Sequence, residues 1–141
     1  MRKLAKLLSM PANDRALVCQ AAISLLVCRI GIRFLRLETI QWWATARKQT
    51  KQSIPISKII WAATMGTRII PQSTCLVRAL AVSRLLAQKG YESTLHIGVK
   101  RKAGLLEAHA WVEYDGRVII GDSEVPYFTR LASWQSGQVQ T

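Results

Sequence analysis

The segment Ser73-Thr74-Cys75-Leu76-Val77-Arg78-Ala79-Leu80 carries the signals of a helix whose first turn contains a cysteine. Ser73 or Thr74 is a suitable N-cap, and helix-forming residues continue to Gln88 before Lys89-Gly90 ends the run. Unpaired N–H groups and the helix dipole favour an anion at this end of a helix. The sequence therefore predicts that Cys75 is a nucleophile, although most isolated helical cysteines are small buried residues.

A β-hairpin is predicted further along the chain. Residues 106–114 alternate as a strand, Asp115-Gly116 is a preferred pair for a two-residue turn, and residues 117–122 form the returning strand. With this turn, Val112 would oppose Ile119, and His109 would oppose Asp122. Because opposed Cβ atoms lie about 4.5–5.5 Å apart, the carboxylate could hold one ring nitrogen of the imidazole.

Cys75, His109 and Asp122 would together form a nucleophile, a general base and an orienting carboxylate. The oxyanion of such a site needs two donors, and the backbone N–H of Cys75 is a natural first one. Gln72 and the indole N–H of Trp111 are alternatives for the second.

Two further side chains near this hairpin have other expected roles. His96 is a competing base, which we expect to be a half-buried structural histidine without an opposed carboxylate. Glu113 lies on the same strand face as His109 and is expected to be solvated.

The composition limits the class of protein. At 141 residues one compact domain is expected, and of the net charge of +12, residues 1–70 carry +10. Without zinc spacing or an RNA-binding signature, no nucleic-acid partner is expected, whereas an anionic membrane or an acidic partner would fit the charge. The spacing of Cys19, Cys28 and Cys75 indicates a reducing, cytoplasmic setting, and no metal or other cofactor is expected.

A long helix is predicted over residues 15–37. Its apolar segment, residues 16–28, is shorter than the ~20 residues that span a bilayer, so a membrane-spanning helix is not expected. Arg29, Arg33 and Arg36 should form one basic stripe. A buried face opposite to them is predicted from four apolar residues, Leu25, Leu26, Ile30 and Leu37. The basic stripe is either a solvated surface or a site of peripheral membrane or partner contact.

Four motifs in this order resemble the protease component of lasso-peptide gene clusters, the B protein. They are Cys75-Leu76-Val77-Arg78-Ala79-Leu80, the step from Gly90-Tyr91 into Leu95-His96-Ile97-Gly98-Val99, Ala108-His109-Ala110-Trp111-Val112-Glu113, and Gly121-Asp122. The resemblance implies an α+β fold with a papain/transglutaminase-like core, in which the nucleophile helix packs on a small antiparallel sheet. Residues 1–52 would be an N-terminal helical extension and residues 53–141 the protease core.

The resemblance also implies a function. Such proteins remove the leader from a ribosomally made precursor peptide, with Cys75 as nucleophile, His109 as base and then acid, and Asp122 as the orienting carboxylate. The chain is similar to the standalone form, which implies a separate leader-recognition protein and an ATP-dependent lasso cyclase as partners. Two alternatives remain, a transglutaminase-like acyltransferase and a non-catalytic basic protein that binds a membrane or partner.

Overall fold

The structure is a computed structural model that describes residues 5–6, 8–36, 39–40, 43–44, 54–70, 74–121 and 129–135. Three helices precede a sheet in the chain: α1 (Ala12–Phe34), α2 (Ile56–Ile69) and α3 (Cys75–Gln88). Four strands follow: β1 (Thr94–Lys102), β2 (Leu105–Tyr114), β3 (Arg117–Ile120) and β4 (Thr129–Gln135). This arrangement confirms the predicted α+β class.

Helix α3 is the centre of the fold, and its two ends follow the sequence signals. The hydroxyl of Thr74 accepts a hydrogen bond from the backbone N–H of Val77 at 3.3 Å, which caps the first turn. At the other end Gly90 adopts a φ of 85°, and the N–H of Tyr91 bonds back to the carbonyl of Leu86 at 2.9 Å. Most side chains between these ends are buried, so α3 lies inside the domain rather than on its surface.

The sheet is antiparallel with the strand order β3-β2-β1-β4. Helix α3 contacts β1, β2 and β3. Leu95, Ala110 and Val112 share one sheet face and belong to the same buried cluster as the α3 side chains. Because successive side chains of a strand point to opposite faces, His96, His109 and Trp111 lie on the face away from this cluster.

The register of the β2–β3 hairpin corrects one prediction. The turn at Asp115-Gly116 forms as expected, and Tyr114 pairs with Arg117. A bulge between Val112 and Glu113 then shifts the pairing, so Val112 opposes Ile120 rather than Ile119. The expected opposition of His109 and Asp122 relied on an unshifted ladder, and that premise is wrong.

The strand before this hairpin is longer than the sequence suggested. The basic composition of residues 100–104 predicts a cationic loop, but β1 continues to Lys102, and only Ala103 and Gly104 form the turn. Both residues have positive φ, 53° and 80°, which is the geometry of a tight hairpin turn. Strand β4 then pairs with the edge of β1 that β2 leaves free.

Helix α1 packs as a core helix on one side only. Its buried residues are Leu17, Val18, Ala21, Ser24, Leu25, Cys28 and Gly31. The prediction that Leu26 and Ile30 belong to the buried face is wrong, because both are exposed on the side that also carries Arg33. Leu37 lies outside the described residues.

Helices α1 and α2 approach closely at Gly66. A Cβ on this glycine would lie 3.0 Å from Cδ1 of Leu25 and 3.3 Å from the backbone nitrogen of Ala22. Helix α1 is thus fixed against α2 and α3 along its buried face. By length and composition its 23 residues could span a membrane, and 39% of the apolar window is buried within the protein.

Candidate functional site

Cys75 is the first residue of α3 and so lies in the first turn of the helix, where the sequence predicts it. Its side chain is half-buried, and the cysteine forms no disulfide. The first backbone N–H groups of a helix have no intrahelical acceptor, and together with the helix dipole they favour a negative charge. A thiolate at Cys75, and an oxyanion next to its backbone N–H, would both benefit from this position.

His109 lies on β2 with a half-buried side chain, and its ring orientation is defined by a backbone group. The distance from Nε2 to the carbonyl oxygen of Gly121 is 2.9 Å. A carbonyl oxygen only accepts hydrogen bonds, so Nε2 carries the proton. The neutral ring then has its lone pair on Nδ1, which is the nitrogen able to take a proton from a thiol.

Gly121 is the point where the helix and the sheet halves of the site meet. It follows β3, adopts a φ of 81°, and lines a cavity together with Arg78 and Val82 of α3. Residues 75, 78, 79 and 82 fall on one side of a helix, so Cys75 belongs to the helix face that looks toward this glycine. The sequence analysis includes Gly121 in the motif Gly121-Asp122 but assigns it no role, although its place beside Asp122 and its lack of a side chain were visible signals.

His109 lies next to the end of β3. The described pairing of β2 with β3 stops at Val112 and Ile120. Three residues earlier on β2, His109 therefore lies beyond the described end of the β3 ladder. Its ring contacts Gly121, the residue that follows β3.

Aromatic stacking holds the His109 ring from one side. The centroids of His109 and Trp111 are 6.1 Å apart with an interplanar angle of 22°, and those of His96 and Trp111 are 5.4 Å apart at 29°. Trp111 is only 1% exposed, so it forms a buried wall between the two imidazoles. Its suggested role as an oxyanion donor stays a prediction.

The expected environment of His96 is corrected by the structure. His96 is fully buried rather than half-buried, and a carboxylate does face it. Its Nε2 lies 3.2 Å from Oε2 of Glu113, and its Nδ1 lies 2.6 Å from the hydroxyl of Ser133. Glu113 is therefore not a solvated surface residue but a partner of a buried imidazole. His96 opposes Trp111 across the two strands, and Glu113, two residues after Trp111, is its diagonal neighbour.

Two predicted site residues, Asp122 and Gln72, lie outside the described residues. Their roles as orienting carboxylate and oxyanion donor stay predictions. Asp122 directly follows Gly121, so the carbonyl that orients His109 and the predicted carboxylate belong to neighbouring residues.

A cavity of about 120 Å³ lies beside these residues. Its walls are mostly apolar, with two hydroxyls and one guanidinium, and consist of Leu25, Ala63, Thr64, Thr67, Arg78, Val82, Ile120 and Gly121. Arg78 is exposed, and its guanidinium forms no ion pair with another residue in the part of the chain that the structure describes. The cavity thus offers an apolar space with one positive charge, one helical turn from Cys75.

Comparison with protein families agrees with this architecture. The model of the transglutaminase-like superfamily matches residues 19–133, which is most of the chain. The chain belongs to the transglutaminase-like superfamily. No curated protein and no solved structure matches it.

The superfamily fold includes cysteine peptidases and acyltransferases, and its members are often cysteine-dependent enzymes. In this transglutaminase-like chain the match begins at residue 19, within α1 and within the stretch 1–52 that was predicted as an extension. The division of the chain at residue 52 stays a prediction. The match also ends after Ser133, so it includes β1, β2 and β3 with the candidate site.

Proposed function

We propose that this transglutaminase-like protein is a cysteine peptidase that removes the leader from a lasso-peptide precursor. Cys75 acts as the nucleophile, His109 as the general base and then acid, and Asp122 as the carboxylate that stabilises the imidazolium. The order and spacing of the sequence motifs support the substrate class, and superfamily membership supports the cysteine chemistry.

One observation carries the assignment of His109. Because its Nε2 donates to the carbonyl of Gly121, the basic nitrogen is Nδ1. In a catalytic histidine one ring nitrogen is fixed by a hydrogen bond and the other faces the nucleophile. The hydrogen bond to Gly121 fixes Nε2 in this way. His96, the competing base, also lies between a carboxylate and a hydroxyl, those of Glu113 and Ser133, but it is only 3% exposed, and this burial favours a structural role.

The reaction begins when Nδ1 of His109 takes the proton of the Cys75 thiol. The thiolate attacks the carbonyl carbon at the leader–core junction, and the backbone N–H of Cys75 stabilises the oxyanion, with Gln72 or Trp111 as the second donor. The C–N bond breaks as His109 returns the proton to the departing amine, which becomes the new N-terminus of the core peptide. Water, deprotonated by His109, then hydrolyses the leader thioester and regenerates the thiol.

The proposal includes partners and a location. A separate leader-recognition protein would bring the precursor, and an ATP-dependent cyclase would use the amine that the cleavage releases. The peptidase step needs no cofactor, because the thiol, the imidazole and water supply all the atoms that the reaction moves. Cleavage in the cytoplasm would precede ring closure.

Mass spectrometry of a mixture of the protein, a leader-recognition protein and a lasso precursor tests this function. We expect two products, the free leader acid and the core peptide, with the wild type and with Ser133→Ala. We expect neither product with Cys75→Ala. Ser133→Ala is the matched control, since it removes the other nucleophile that contacts an imidazole, at His96. Cleavage by Cys75→Ala would contradict the proposal.

The same experiment separates hydrolysis from acyl transfer. With a small primary amine in the buffer, a hydrolase releases the leader as an acid, whereas an acyltransferase releases it as an amide. Amide as the main product would favour the acyltransferase alternative. Intact precursor with every variant, including the wild type, would favour a non-catalytic binding protein.

A further inference from the structure

Helix α1 has an exposed apolar stripe along the side that faces away from the core. Ile23, Leu26, Val27, Ile30 and Phe34 are between 42% and 80% exposed. Their spacings of three and four residues place them on one side of the helix, over a length of about 16 Å. A continuous stripe of this kind is unlike the single exposed apolar residues that any protein surface has.

The opposite side of α1 packs in the protein interior. Leu17, Val18, Ala21 and Leu25 are no more than 4% exposed, and the helix approaches α2 closely at Gly66. A helix that crossed a bilayer would have to leave these contacts, so spanning is incompatible with the fold. The exposed side alone can meet another surface while the core stays packed.

Positive charge lies along one edge of the stripe. Arg29 and Arg33, four residues apart, lie on the edge of the stripe next to Leu26 and Ile30, and exposed Arg36 follows the helix end. From residue 15 to residue 36 the sequence contains no Asp or Glu. An apolar stripe with a purely cationic edge is complementary to a lipid surface with anionic headgroups.

We propose that α1 docks this protein on an anionic membrane surface, with the helix axis parallel to the bilayer. The five apolar side chains enter the boundary between headgroups and acyl chains, and Arg33 and Arg36 contact lipid phosphates. This docking is separate from the chemistry at Cys75, since α1 carries none of the three predicted catalytic residues.

Binding to vesicles tests the proposal with the purified full chain. We expect the protein to sediment with vesicles of equal parts phosphatidylglycerol and phosphatidylcholine. We expect at least about tenfold weaker binding to pure phosphatidylcholine, and a similar loss in high salt, because the charge term is screened.

Two sets of variants locate the surface. The triple variant Ile23→Ser/Ile30→Ser/Phe34→Ser should lose binding by at least about tenfold, since it removes most of the inserted apolar area. Leu105→Ser/Leu106→Ser is the matched control, because both leucines are over 70% exposed on the β1–β2 hairpin. Arg33→Glu/Arg36→Glu should also weaken binding to the vesicles. Lys89→Glu/Arg117→Glu is its control, because it makes the same change in net charge away from α1, and it should weaken binding less. Circular dichroism and the unfolding midpoint verify that each variant is folded.

A label at Cys19 gives a second readout. This exposed cysteine lies one turn before Ile23 on the same side of α1, whereas Cys28 is buried. In a Cys75→Ser background, a polarity-sensitive fluorophore at Cys19 should shift to shorter wavelength on anionic vesicles. An unchanged spectrum, or a triple serine variant that binds like the wild type, would overturn the proposal. The proposal would also be overturned if the protein bound neutral vesicles equally well, or if only detergent released it from vesicles. Binding to the leader-recognition protein through α1, without any binding to vesicles, would overturn it as well.

Leader cleavage serves as an independent measurement. The serine triple variant should keep the cleavage rate of the wild type in solution without vesicles, because the stripe is remote in sequence from Cys75 and His109. Loss of vesicle binding with normal cleavage would leave the peptidase proposal intact. Normal vesicle binding without cleavage would leave the docking surface intact.

Discussion

Nε2 of His109 lies 2.9 Å from the carbonyl oxygen of Gly121, and a Cβ on that glycine would lie 3.1 Å from the same nitrogen. The ring is therefore both oriented by this residue and dependent on its lack of a side chain. The same Cβ would also lie 3.0 Å from the carbonyl oxygen of Ala110, a backbone atom that cannot easily move. Gly121 thus links the position of the candidate base to the backbone of β2.

Gly121→Ala should reduce leader cleavage by at least about tenfold, because small displacements of catalytic groups have large effects on rate. The new methyl group would push the His109 ring or break its hydrogen bond to the carbonyl of residue 121. We expect a loss of stability of about 1 kcal/mol from the positive φ as well. Single-turnover cleavage kinetics and denaturant unfolding measure the two effects separately.

Gly116→Ala is the matched control for this substitution. Gly116 has a similar φ of 76°, but a Cβ there would have no atom within 4 Å. Gly116→Ala should therefore show the backbone penalty in stability without the loss of cleavage rate. Equal rates for both alanine variants would show that the contact between residues 109 and 121 does not matter for catalysis.

The helix signals and the turn signals of the sequence predicted their elements well because both act locally. Thr74 caps α3 through a group three residues away, and Gly90 and Gly116 supply positive φ where a chain reversal needs it. The same local rules placed Cys75 in the first turn of α3. The position of the candidate nucleophile could therefore be predicted from the sequence alone.

Register and long-range pairing were less predictable because they depend on the whole sheet. The Asp115-Gly116 turn does not determine whether a bulge forms at Val112. The predicted pairing of β2 with β3 is therefore wrong by one residue on the far side of that bulge. The contact of His96 with Glu113 needed the register of β1 against β2, which the turn at Ala103 sets. With residues 100–104 read as a loop, that register was not available.

The orientation of α1 shows a limit of periodicity. Leu25 and Leu26 are equally apolar, but only Leu25 packs against α2 near Gly66. The sequence has more apolar residues than the buried face can hold, so the pattern alone could not decide which of them remain outside. The arginines therefore border an apolar stripe instead of lying opposite to it.

Glu113→Ala should destabilise the protein by about 1–3 kcal/mol, because it leaves the imidazole of His96 without its carboxylate partner in a buried position. Denaturant unfolding at neutral pH measures this change. Glu107→Ala, on an exposed position of the same strand, should change stability by no more than about 0.5 kcal/mol. Equal stability of the two variants would mean that the contact with His96 contributes little.

Arg78→Ala should weaken the interaction with the precursor, because the variant removes the positive charge from the cavity one turn after Cys75. We expect a rise in KM with a smaller change in kcat, since a charge that only binds substrate affects the ground state and the transition state alike. Precursor cleavage at several concentrations gives both constants. Arg117, an exposed residue at the start of β3, provides the control: Arg117→Ala should leave KM and kcat unchanged. A fall in kcat alone would place Arg78 in the chemical step.

Cys28 makes folding sensitive to alkaline pH. Burial raises the pKa of its thiol from 9.0 to about 12, and the positive charge of Arg84 offsets part of the rise. In the unfolded chain the thiol ionises above pH 9.0, whereas in the folded protein it stays protonated until about pH 12. Ionisation thus favours the unfolded state in this range. The stability that the neutral thiol contributes is complete below pH 9.0 and declines as the pH rises toward 12.

Cys28→Ala separates this effect from other ionisations. The variant should lose roughly 1 kcal/mol at neutral pH because of the smaller side chain, and that loss should not depend on pH. Between about pH 8 and about pH 10.5 the wild type should therefore lose about 2 kcal/mol more than the variant, so the initial difference in unfolding free energy should close and reverse. Denaturant titrations at both pH values, with a reducing agent present, give the difference. Parallel declines would mean that Cys28 is not protected from ionisation, and hence that the interior between α1 and α3 admits water.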